Sequence, residues 1–184
     1  QGQGCVIDGT AIAADWTGTI ETESVVLTEL GKNVAEGTQA KLDEVLAGLK
    51  DGTIDIIATD HAPHTAEEKA KTITDAPSGI IGLETSFPVS YTTLVMGGCV
   101  TLEKLVELMS CNAAKILGDR ERGTLRVGAA ADIAVFDPAT IGSKATFLES
   151  RVWPDGVHHV IVNGQVALRN GAGTGINAGK TILK

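Results

Sequence analysis

Asp51-Gly-Thr-Ile-Asp-Ile-Ile-Ala-Thr-Asp-His-Ala-Pro-His64 is an apolar run that ends on an acid, followed at once by two of the chain's four histidines. Ile54, Ile56, Ile57 and Ala58 are mostly β-branched and lie between Asp51-Gly52 and Pro63, the pattern of a strand covered on both faces in a parallel sheet. Asp60 then falls at the strand's C-terminal end. Where strands and helices alternate around a barrel, polar groups delivered to that rim build the active site. A carboxylate there with imidazoles close by can bind a divalent metal or carry a proton.

The surrounding pattern predicts a βα unit. Thr38 is placed to cap a helix in which Leu42, Val45, Leu46 and Leu49 share one face, and Gly52 ends it. After the motif, Leu83 to Val95 reads as a helix kinked by Pro88. Thr101 caps a second helix carrying Leu102, Leu105, Val106 and Met109, and a third runs from Asn112 to Leu117 and stops at Gly118. These helices are expected to cover the outside of the strands.

Asp60-His-Ala-Pro-His64 after Ile-Ala-Thr, followed by Ala76-Pro-Ser-Gly-Ile-Ile-Gly-Leu-Glu-Thr85, resembles the last barrel strand and following loop of dihydroorotase. That family of cyclic amidohydrolases belongs to the metal-dependent amidohydrolase superfamily. The likeness runs roughly from Leu42 to Pro138. It implies that Asp60 touches the metal centre, takes a proton from the attacking hydroxide and returns it to the leaving nitrogen. It implies further that His64 helps hold the substrate carboxylate, and that the loop with Pro77, Gly79 and Gly82 lines the substrate pocket. For His61 two readings stay open, a hydrogen-bonded orienter and a direct role.

The same resemblance exposes a deficit. The superfamily builds its zinc site from an early His-x-His, a mid-barrel lysine, two later histidines and the final aspartate. The only histidines here are His61, His64, His158 and His159, and no His-x-His occurs. His158 and His159 are adjacent in a strand pattern, where neighbours point to opposite faces, so they do not jointly chelate an ion. Thr19 to Thr28 is similar to the family segment that carries paired histidines, but Glu23 and Ser24 stand at those positions. Asn33 to Thr38 likewise departs from the family's Asn-Pro-Pro-Leu-Arg. The expectation is therefore zinc in the family and none held by this chain alone.

At 184 residues the chain is shorter than the roughly 250 of a complete eight-fold barrel. The fold class expected is α/β: a partial (β/α)8 barrel over residues 1–118, then a small β-sandwich segment over 119–184. An incomplete barrel leaves a strand edge open, which predicts a homo-oligomer or a partner subunit. Net charge is −8, which argues against nucleic-acid or anionic-membrane binding, because a basic surface is the usual footprint of both. Cys5, Cys99 and Cys111 are odd in number and without a Cys-x-x-Cys pattern, as in a reduced, cytoplasmic protein. Neither a signal peptide nor an apolar run of membrane-spanning length is apparent.

From Gly123 short strands and turns take over. Gly123 to Pro138 resembles the segment by which amidohydrolases leave the barrel and enter a β-sandwich, where Asp132 reads as structural. Val157 to Val162 and Gln165 to Leu168, joined by Asn163-Gly164, form the strongest hairpin signal. The glycine-rich tail beyond Asn170 is read as mobile or as wrapping an edge. Trp153 to Gly164 looks closer to acyl-amino-acid deacylases, and Cys5 to Thr10 resembles the opening of the family's sandwich. Ser86 lacks the flanking glycines of a nucleophile elbow and reads as a helix residue.

The reading is a dihydroorotase-like cyclic amidohydrolase, a fragment or degenerate form inactive alone, acting in the family on a small cyclic amide in pyrimidine biosynthesis. Two others compete with it. One is a non-catalytic dihydroorotase-like subunit scaffolding a partner such as aspartate transcarbamoylase, favoured by the missing histidines. The other is a hydantoinase or acyl-amino-acid deacylase relative.

Overall fold

The structure, a computed structural model, describes residues 35–146 and 149–182. Glu23, Ser24, Cys5 and the segments read around them lie outside the described residues. Helix α1 spans Thr38–Asp51. Thr38 is its first residue rather than its cap: Gly37, at φ 82°, takes the N-cap position, and the Thr38 hydroxyl donates to Ala35 O at 2.7 Å. Gly52 ends the helix at φ 89°, a left-handed angle that glycine adopts without strain.

Ile54 to Ala58 is not a strand among the described residues; the backbone from Asp55 to Thr65 carries no regular element. A parallel strand exists only through ladders to its neighbours, and none of the described strands lies beside this one. The segment docks on helices instead. Ile57 N donates to Leu108 O at 3.0 Å, and Asn112 Nδ2 donates to Asp55 O at 3.0 Å. Ile57 packs into the core, while Ile56 is 37% exposed.

Helix α2 is a single turn, Ala66–Lys69. Helix α3, Ser86–Ser90, continues without a break as a π-helical stretch, Tyr91–Met96. The helix begins only at Ser86, so proline falls in the first turn, where its missing N–H leaves no bond unmade. Thr101 caps α4, Leu102–Val106, by accepting Lys104 N–H at 3.2 Å. The two helices expected after it are one helical run, because a π-helical stretch, Glu107–Cys111, joins α4 to α5, Asn112–Leu117. Gly118 stops the run at φ 70°.

The C-terminal part is a four-stranded antiparallel meander in the order β1 Ile133–Phe136, β2 Val157–Val162, β3 Gln165–Arg169 and β4 Ala172–Gly173. Asn163 and Gly164, at φ 47° and 76°, form the expected β2–β3 turn. Asn170 and Gly171 repeat that geometry at 50° and 75°, so part of the tail pairs as the edge strand β4. Asp132 is structural, as its place suggested: Oδ1 accepts Asn163 N–H at 2.7 Å and Oδ2 accepts Arg122 Nε–H at 2.9 Å.

One core joins helices and sheet. Tyr91, Leu105 and Ile141 are buried at its centre, with Ile57, Phe87, Phe136 and Val157 packed against them. Phe87 meets Phe136 edge to face at 4.8 Å, and Tyr91 OH donates to Pro138 O at 3.3 Å. Leu105 and Leu108 are fully buried. This core fixes the end of the helical run against which the Asp60 segment is docked.

Candidate active site

The motif lies on the irregular stretch between Ile57 and α2. Asp60 is exposed and holds φ 46°, a left-handed angle that few non-glycine residues adopt, Asp and Asn more readily than most. The chain therefore turns sharply at the acid before His61.

The Pro77–Gly82 loop runs alongside and is anchored at several points. Ala62 N donates to Ile80 O at 2.9 Å, and Gly82 N donates to His61 Nδ1 at 3.0 Å. In the second bond Nδ1 is the acceptor, and it ties the motif to the loop. Gly79, at φ 117°, has no room for a side chain, since a Cβ would stand 2.9 Å from both Cβ and O of Ala62 and 3.1 Å from His64 Nε2. Gly82 is buried, and a Cβ there would lie 3.0 Å from Thr59 O. Glycine at both positions lets two backbones approach closely.

α2 supplies the rest of the frame. Thr65 Oγ1 accepts Glu68 N–H at 3.2 Å while Glu68 Oε2 accepts Thr65 N–H at 3.0 Å, a reciprocal capping box. The Thr65 N–H holds the Glu68 carboxyl below its ordinary value. The same Oε2 lies 3.5 Å from His64 Nδ1, an ion pair when His64 is protonated. Lys69 Nζ donates to Gly79 O at 2.6 Å and to Pro77 O at 2.9 Å.

The structure thus gathers His64, Pro77, Gly79 and Gly82 around one segment, with Asp60 next to the Thr59 carbonyl that touches Gly82. Lys69, Thr65 and Glu68 escaped the sequence reading, although Thr65-x-x-Glu68 is a capping-box pattern legible in the sequence. Glu84 also escaped it: its Oε2 is buried and finds no hydrogen-bond partner among the described residues. A cleft of about 410 Å³ lined by Lys115, Arg120 and Arg126 lies elsewhere, beyond the end of α5.

On metal binding, no three His, Cys, Asp or Glu side chains gather among the described residues in a way that could hold an ion. Asp60 offers one carboxylate, and His61 has its Nδ1 engaged. No helix among the described residues is long and apolar enough to cross a membrane.

The chain is 55% identical over 108 residues to a dihydroorotase of Brevibacillus brevis, covering 54% of this chain and 25% of that protein. It is 57% identical over 100 residues to a dihydroorotase of a Geobacter species, covering 54% and 23%. It spans about a quarter of the length of these curated relatives. Among solved structures it resembles a D-hydantoinase (dihydropyrimidinase) from a Thermus species, with TM-score 0.61 and 30% identity over 73% of this chain and 32% of that one. The model of the amidohydrolase family matches residues 10–168. The chain belongs to the amidohydrolase family.

Proposed function

We propose that this chain is the C-terminal part of a dihydroorotase-like cyclic amidohydrolase, whose reaction opens and closes the ring of dihydroorotate in pyrimidine biosynthesis. The observation that carries the proposal is the seating of the Pro77–Gly82 loop on the Asp60–His64 segment through Ala62–Ile80 and His61–Gly82. Gly79 leaves no room for a Cβ and Gly82 little, which keeps that seat narrow. The identity to dihydroorotases over half of the chain supports the substrate class. In this reading residues 1–118 are the last units of a (β/α)8 barrel and 119–184 belong to the accompanying β-sandwich. The docked Ile54–Ala58 segment becomes a ladder strand when its neighbours are present. The protein works in the cytoplasm, as a homo-oligomer or beside a partner subunit that covers the open edge.

Asp60 handles the proton. As a bond forms from water oxygen to the ring carbonyl carbon and the carbon–nitrogen bond breaks, its carboxylate accepts the proton of water and delivers it to the departing nitrogen. His64 and the loop hold the substrate carboxylate, and His61 keeps the loop in register. The described residues do not by themselves fit the family's zinc: one carboxylate is not a ligand set. The isolated chain is expected to leave dihydroorotate unhydrolysed.

A chimera tests the reading. The matching segment of the Brevibacillus brevis dihydroorotase is replaced by this chain's, and ring opening is assayed with dihydroorotate, hydantoin and dihydrouracil. Turnover of dihydroorotate, lost on Asp60→Asn, is expected. Turnover of hydantoin or dihydrouracil alone would select the hydantoinase reading, which the Thermus likeness favours. A folded chimera inactive on all three would leave the scaffold reading, which the scarcity of histidines favours.

A further inference from the structure

Twelve residues, 65–76, separate the motif from the loop that returns to it, and nothing covalent holds the two together nearby. α2 is one turn long, too short to stand alone. Its N-terminus is nevertheless fixed by the Thr65–Glu68 capping box, and the box shares Glu68 Oε2 with His64 Nδ1. Its last residue, Lys69, is then aimed across the gap, where one ammonium serves two carbonyls, Gly79 O at 2.6 Å and Pro77 O at 2.9 Å. A charged donor makes the stronger kind of hydrogen bond. Gly79 is the residue whose missing Cβ leaves room for Ala62 and His64 Nε2. Lys69 and His64 therefore both bear on Gly79.

We propose that Lys69 is a positioning residue: through the Pro77 and Gly79 carbonyls it holds the pocket loop against the motif and so sets where the His64 imidazole stands. Calling the loop a pocket wall rests on the function proposed above. The clamp itself does not, and its test needs neither substrate nor catalysis.

The experiment uses the full chain with Lys69→Met and Lys69→Arg, and follows amide hydrogen exchange at Ala62 and Gly82 together with the His64 imidazole signals in nuclear magnetic resonance. Lys69 is exposed, so neither variant threatens the fold. Lys69→Met should speed exchange at Ala62 and Gly82 about tenfold, as expected when a local opening loses a charge-assisted bond, and should shift the His64 signals. α1 and β2 should be unaffected. Lys69→Arg, which also presents several donors, should restore both readouts. Unchanged exchange and an unchanged His64 signal in Lys69→Met would overturn the proposal, and so would opening that spreads to α1 and β2. Loop opening in Lys69→Met beside an inactive chimera would keep the clamp and remove the activity reading.

Discussion

His61 Nδ1 accepts the N–H of Gly82 at 3.0 Å, a bond across 21 residues that joins the end of the apolar run to the far end of the loop. Gly82 is buried, so its N–H has no water to turn to. His61→Ala should cost about 1–3 kcal/mol, the penalty of a buried donor left unpaired. Denaturant melts measure it; a loss within error would mean that the loop finds another acceptor.

Gly79→Ala should be harmful for a different reason. At φ 117° an alanine is strained, and its Cβ would press on Ala62. A loss of about 1–3 kcal/mol is expected from the backbone alone, with faster cleavage of residues 70–82 in limited proteolysis. An alanine variant as stable as the parent would show that the loop does not sit where it is described.

Asp60→Asn should leave stability within about 0.5 kcal/mol of the parent, because the acid is exposed. Asparagine accepts the same left-handed φ. Thermal melts of the pair check this. A large loss would mean that the carboxylate pairs with a cation or metal.

Leu105→Ala should cost about 2–5 kcal/mol, since Leu105 is fully buried beside Tyr91 and Ile141 and its removal leaves a cavity. Ile56→Ala should cost distinctly less, because Ile56 is 37% exposed and Ile57 is the residue that reaches the core. Equal losses for the two variants would contradict this packing.

Acid should loosen the chain in a definite order of pH. The Thr65 N–H holds Glu68 below its ordinary 4.5. The Glu121 N–H, then Arg122, holds Asp119 below its ordinary 3.8. A carboxyl with a lowered folded value contributes stability that is present above its unfolded value and lost as pH falls through the folded one. Stability should thus be flat from pH 7 to about 5 on account of these groups and fall below 4.5. Glu68→Gln should flatten the upper part of that fall; an unchanged profile would remove the capping box from the account.

The sequence by itself determined α1, the start of α4, the end of α5 and the β2–β3 hairpin, because their causes are local. Leucine spacing and Gly52 mark α1, Thr101 caps α4, Gly118 ends α5, and Asn163-Gly164 can take the two positive φ angles its turn requires. It also marked Asp60 and the loop glycines, through a resemblance carried by consecutive residues. Three things were decided only in three dimensions. Ile54 to Ala58 has a strand's composition, yet a strand is a relation between chains of atoms, and without a ladder it docks on Leu108 and Asn112 instead. The fusion of α4 and α5 through a π-helical stretch, in a run where Leu105 and Leu108 are both fully buried, has no local signal in the sequence. Finally, Lys69 is an unremarkable surface lysine in the sequence. Its reach to Pro77 and Gly79 depends on where a one-turn helix happens to end, and side-chain reach across a gap leaves no periodic trace in a chain.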